Sequence, residues 1–136
     1  MRIALEMRLT GSSQILLAPQ RNNHLGTISI EVLTTTITPE AAWKSFMQQI
    51  TDRWTSYRSS ENGEPYLNAR PHWAKEWQGL VVRGKPIESY LRKSAYKDER
   101  KEFVKILEEL VKKRGGTLEE TRKRFGNPLL ERLFFQ

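Results

Sequence analysis

Glu6 and Arg8 stand two residues apart in the run Glu6-Met7-Arg8. In an extended strand, positions i and i+2 point the same way, so this carboxylate and guanidinium would lie side by side. A second alternating run, residues 26–34, puts Glu31 on its polar face. If the two strands pair, Glu31 joins Glu6 and Arg8, and the three charges form a small network. Read from the pattern alone, such a network is a cross-strand ion pair on a solvated sheet surface. Other chemistries are closed off. The chain has no cysteine, which removes disulfides, thiolate metal sites and cysteine nucleophiles. Two histidines, His24 and His72, are thin material for a zinc centre. No segment has the glycine pattern of either common phosphate-binding loop.

The elements that must position these charges follow from periodicity. In residues 2–9, Ile3, Leu5, Met7 and Leu9 fall on one face and Arg2, Ala4, Glu6 and Arg8 on the other. In residues 26–34, Ile28, Ile30 and Val32 share a face. The connection between the strands, roughly 10–25, is long enough for a functional loop. Thr38-Pro39 opens a helix over 39–57, with Thr38 as N-cap and Pro39 in the first turn. Its stripe of Trp43, Phe46, Met47, Ile50, Trp54 and Tyr57 is suited to cover the apolar face of the strands. Residues 58–66 form a polar loop. Residues 67–77 read as an extended connector, because Pro71 disfavours a helix interior or a central strand. A short helix is expected around 87–91. A longer one spans 99–113, with Asp98 as cap and Gly115-Gly116 as stop. Thr117 to Glu120 has the capping-box form, and Asn127-Pro128 starts a last helix.

The resulting fold is α+β: an antiparallel sheet built on 2–9 and 26–34, covered on one face by helix 39–57. Helices 99–113 and 128–135 pack at one side. The expected division is a substrate-side part, 1–82, and a helical part, 83–136. A length of 136 residues allows one domain with a real core. At 38% hydrophobic and 29% charged the balance is globular. No run approaches the roughly 18 apolar residues that a membrane span needs. Residues 1–9 alternate, and lack the apolar core and cleavage site of a secretory leader. The net charge of +7 makes nucleic acid a partner to consider. The basic excess between Arg83 and Arg124 is interleaved with glutamates, however, as on a solvated helix face.

The segment Arg70-Pro71-His72-Trp73-Ala74-Lys75 adds something that patterning does not. It resembles the Arg-Pro-His-Trp-(Gly/Ala)-Lys run of the sugar-1,4-lactone oxidases and alditol oxidases, FAD enzymes of the vanillyl-alcohol-oxidase superfamily. Glu6-Met7-Arg8 resembles the Glu-x-Arg strand of the same enzymes. Phe125-Gly-Asn127 through Arg132 is similar to their closing Phe-x-Asn pattern. The likeness runs in order from about residue 2 to 134.

The resemblance implies that Glu6, Arg8 and Lys75 line a substrate pocket facing the flavin N5. Arg8 and Lys75 would be the catalytic cations. Oxidation of an alcohol moves a hydride to flavin while the hydroxyl loses a proton, and a cation stabilises the negative charge that develops on oxygen. A desolvated Lys75 would also help to remove that proton. Glu6, Glu31 and His72 would contact substrate, with His72 alternatively holding its own turn by a backbone hydrogen bond. Arg70 would meet the flavin or a structural carboxylate. Asn127 would cap the last helix or face the cofactor. Trp73 is expected to pack. Two departures stand out. Glu31 takes the place of a histidine found in the alditol enzymes. The stretch 78–97 is longer than the family's compact form, as an added surface helix would make it.

No flavin-holding loop is visible, so FAD is expected from a missing domain or a partner chain. The expected function is therefore the substrate-binding, C-terminal portion of an FAD-dependent oxidase of a CH–OH donor, a sugar, lactone or other alcohol. It would not be active alone, and would pair with an FAD-domain partner or form a homo-oligomer. The alternative is a stand-alone, non-flavin small-molecule-binding or accessory protein on the same scaffold. A basic nucleic-acid-binding module has no base-stacking platform behind it.

Overall fold

The computed structural model describes residues 5–58 and 67–136. Residues 1–4, with Arg2, Ile3 and Ala4 of the expected first strand, and most of the expected polar loop 58–66 lie outside them.

Strand β1 (Leu5–Thr10) pairs antiparallel with β2 (Thr27–Val32). The register sets Glu6 opposite Glu31, Arg8 opposite Ser29 and Met7 opposite Ile30. Paired residues in a ladder share a face, so the charges gather on one side of this hairpin and the aliphatic side chains on the other. Helix α1 (Glu40–Trp54) follows. Strands β3 (Val81–Val82) and β4 (Lys85–Pro86) form a second hairpin. Its two-residue turn places Arg83 at φ 51° and Gly84 at φ 75°, the left-handed pair that a tight hairpin requires. Helix α2 (Ile87–Tyr90) runs on into a π-helical turn, Leu91–Ala95. Helices α3 (Lys97–Lys113), α4 (Leu118–Phe125) and α5 (Pro128–Leu130) complete the order, and a π turn over Glu131–Phe135 extends the last. The fold class is α+β, with small antiparallel sheets.

The core differs from expectation in place. Trp77, Val82, Ile87 and Tyr90 bury together with Leu91, Ala95, Tyr96 and Leu133. The segment 78–97, expected as a surface addition, thus supplies most of the buried side chains. Its apolar positions are too few per turn to announce a long helix, but short pieces joined by turns aim them all inward. The cluster draws residues from both sides of position 82.

The cover of the first hairpin is the second difference. Helix α1 does not lie on the β1–β2 face. Gln48 donates to the Val81 carbonyl at 2.7 Å and accepts from the Val81 amide at 2.8 Å. Trp43 Nε1 donates to Glu76 at 3.2 Å. These bonds turn the stripe of α1 toward residues 76–82, and a single stripe can face only one surface. Consequently Leu5, Met7 and Leu9 remain exposed.

The caps test the local reading. Thr38 does not cap α1: its hydroxyl bonds that of Thr34, and Pro39 occupies the N-cap position. Asp98 lies in the first turn of α3 rather than at its cap, which is Tyr96. The stop is as expected. Gly115, at φ 73°, donates to the Lys112 carbonyl and Gly116 to the Val111 carbonyl, a Schellman closure. Thr117 and Glu120 form the capping box.

Candidate functional site

Three segments meet on the charged face of the first hairpin. β1 contributes Glu6 and Arg8, and β2 contributes Glu31. The turn after Pro71 contributes His72 and Lys75. Arg8 Nε donates to Glu6 at 2.7 Å, with a second guanidinium contact at 2.5 Å. Lys75 is ion-paired with Glu31 across to β2. Arg8 and His72 also act on the Glu31 carboxylate through space. The five residues singled out from sequence for substrate contact therefore lie in one electrostatic cluster, although Glu6 and Lys75 are far apart in the chain.

The turn that delivers Lys75 is built by its own residues. The Lys75 amide donates to the His72 carbonyl at 3.0 Å, and the Ala74 amide donates to His72 Nδ1 at 3.2 Å. His72 thus holds its turn by a backbone bond while its side chain stays exposed.

The electrostatics follow from the pairing. Hydrogen bonding to Lys75 is the main cause holding the Glu31 carboxyl below its ordinary range, with the charges of Lys75, Arg8 and His72 acting the same way. The bond to Glu6 pushes Arg8 further up. Lys75 is 57% exposed, so the desolvation on which a lysine base would depend is not there.

Arg70 and Asn127 are engaged elsewhere. The Arg70 guanidinium donates to Glu99 at 2.6 Å, with side-chain exposures of only 4% and 9% for the two. It also donates to the Arg21 carbonyl at 3.1 Å and stacks over the Tyr96 ring at 4.4 Å. Of the two roles open to it, the structural carboxylate is the one observed. Asn127 Oδ1 accepts from the amides of Leu129 and Leu130, both at 3.0 Å, which is its capping role. Both polar groups are thus engaged within the chain, and Arg70 also lines a polar cavity.

Trp73 packs, as expected, against Trp77, Tyr96 and Phe134. Its indole N–H donates to the Leu17 carbonyl at 2.8 Å. With the Arg70 bond to Arg21 and the Arg21–Glu102 pair at 2.9 Å, it pins the loop between β1 and β2 onto the core. That loop, read as functional from its length, is a strap. Its anchors hold the hairpin next to the turn bearing Lys75.

Sequence reasoning missed a polar cavity that none of the cluster residues lines. A cavity of about 420 Å³ is lined by Asn22, Asn68, Arg70, Arg83, Asp98 and Glu99, among others. Its residues come from four segments with no shared motif, so nothing in their spacing joins them beforehand. Among the described residues, no helix is long and apolar enough to cross a membrane. Compared with known proteins, the chain matches no family model, no curated protein and no solved structure.

Proposed function

We propose that this chain forms the substrate side of an FAD-dependent oxidase acting on a CH–OH donor, a sugar, lactone or other alcohol, and works with a partner that carries the flavin. One observation supports the reading above the rest: Glu6, Arg8, Glu31, His72 and Lys75 converge on one face from three separate segments. The motif residues that the family likeness rests on are also the residues that meet.

The flavin would accept the hydride. Because Arg70 and Asn127 are engaged internally, this chain would supply the handling of the substrate. Glu6 and Glu31 accept hydrogen bonds from sugar hydroxyls, and the exposed His72 ring meets a substrate oxygen. Arg8 and Lys75 stand as preorganised cations where a hydroxyl oxygen gains negative charge as its proton passes to water at this exposed face. Each cation is held by a carboxylate, so little reorganisation is needed at that moment.

A second reading has its own observation. The engagement of both cofactor-assigned residues within the chain favours a stand-alone, non-flavin small-molecule-binding or accessory protein that uses the same cluster.

Visible absorbance of the protein isolated with its native partners separates the two. Under the oxidase reading a flavin spectrum accompanies a second polypeptide. An alcohol or sugar then bleaches it anaerobically, and Arg8→Met or Lys75→Met slows bleaching by roughly 100-fold or more. A colourless chain that still binds sugars through the cluster would establish the second reading instead.

A further inference from the structure

We infer that the polar cavity beside the buried Arg70–Glu99 pair is a binding site for a small hydroxylated amine, a molecule of amino-sugar type without an anionic group. Its volume of about 420 Å³ lies within the range of small-molecule sites. The wall is firmly built: Arg70 and Glu99, which stand on it, expose only 4% and 9% of their side chains. Ser94 reaches it from the π turn Leu91–Ala95, a widened turn of the kind that recurs at functional sites. Glu6, Arg8, Glu31, His72 and Lys75 take no part in the lining, so the inference does not depend on the oxidase reading.

The bonds already made on the wall select the charge of the ligand. Every N–H of the Arg70 guanidinium is spent. Nη2 donates to Glu99 at 2.6 Å, and Nη1 to the carbonyls of Arg21 at 3.1 Å and Ala18 at 3.4 Å. The Asn68 amide oxygen, in the orientation that the arginine dictates, accepts from Nε at 3.0 Å and Nη2 at 2.9 Å. No donor is left there for a ligand carboxylate or phosphate. Arg83 is engaged as well: it donates to the Thr55 carbonyl at 2.8 Å and lies over the Tyr90 ring, 5.7 Å from its centroid. The acceptors are open by contrast. Glu99 gives Arg70 one oxygen and keeps the other. Among the described residues, the Asp98 carboxylate makes no ion pair or hydrogen bond within the chain, and neither the Asn22 nor the Ser94 side chain is bonded to another residue. An ammonium only donates, and a carboxylate is its charge-assisted partner. Hydroxyls donate and accept, as the Asn22 amide and the Ser94 hydroxyl do. Asp98 and Glu99 thus take the amine, and Asn22 and Ser94 take the hydroxyls. Glu99 already neutralises Arg70, so the arginine adds little repulsion. A neutral polyol would leave Asp98 unmatched, and an anion would meet carboxylates beside two guanidinium groups engaged elsewhere.

Amide chemical shifts of the full chain at neutral pH test it, read against sugars that share one ring: glucosamine, glucose and glucuronate. Glucosamine should move the Asn22, Ser94 and Asp98 amides saturably. Glucose should bind at least roughly tenfold more weakly, and glucuronate not at all. Asp98→Asn keeps the shape of the side chain and removes its charge. It should bring glucosamine down to the affinity of glucose with the melting temperature unchanged. Should Asp98→Asn disturb the start of α3, Ser94→Leu decides: it enlarges an exposed side chain into the cavity and should abolish the shifts. No saturable shift from glucosamine, equal affinity for glucose, or a preference for glucuronate would each overturn the inference. So would shifts centred on Glu31 and Lys75 in place of the cavity, or binding indifferent to both variants.

Discussion

Arg70 and Lys75 sit five residues apart in one motif and do opposite things. Arg70 is enclosed, paired with Glu99 and laid over Tyr96; Lys75 reaches out to Glu31 in the open. Breaking an enclosed pair leaves a buried charge without its partner. Arg70→Leu should therefore lower stability by about 3–5 kcal/mol. Chemical denaturation checks this, and Arg70→Leu with Glu99→Leu should recover much of the loss, since the orphaned carboxylate is then gone. The outer pair makes a different prediction. Lys75 holds the Glu31 carboxyl below 4.5, its ordinary value. Between the folded value and 4.5 the unfolded chain binds the extra proton, so stability from this pair is present above 4.5 and lost as pH falls through the folded value. The difference in melting temperature between the native chain and Glu31→Gln should be present at neutral pH and vanish in acid. A difference that persists in acid would show that Glu31 acts by packing and not by charge.

At the scale of elements, the sequence was most informative where one residue does one local job. The capping box at Thr117, the glycine stop at Gly115 and the cap at Asn127 are each written within four or five residues, and all three form. Asn127 bears on function as well. Asn127→Ala should cost about 1 kcal/mol in stability, while Asn127→Asp keeps an accepting oxygen and should cost little. Were the side chain instead a cofactor contact, Asn127→Asp would impair flavin retention in the assembled protein without touching its stability. Comparing thermal melts with flavin content for the two variants tells these apart. What local signals could not decide is which surface an amphipathic helix chooses. The stripe of α1 is plain from Trp43 to Trp54, yet its partner is set by Gln48 meeting the Val81 backbone, a contact 33 residues away. The same holds for the tight turn at Arg83-Gly84: its two-residue strands are too short for any alternation to register.

Across the whole molecule, the charged cluster was legible because strand register is strict: a one-residue slip would carry Glu6 and Arg8 to the other face. The core was not legible in the same way, since Trp77, Leu91 and Leu133 become neighbours only through turns without a repeating period. Stability should be divided accordingly. Trp77, the segments from β3 to Tyr96 and the last π turn share the buried cluster, whereas β1 and β2 are tied toward it by the strap, by way of Trp73, Arg70 and Arg21, and by the Lys75–Glu31 pair. Regions with few buried apolar contacts open at lower free energy than the global transition. Amide hydrogen exchange should thus find β1 and β2 exchanging well before residues 91–107. Trp73→Leu, which removes the indole bond to the Leu17 carbonyl, should speed the hairpin further and, with it, loosen the alignment of Glu31 and Lys75. If hairpin and core exchanged together, the two would be one cooperative unit, and the site's geometry would be set by the core directly and not by the strap.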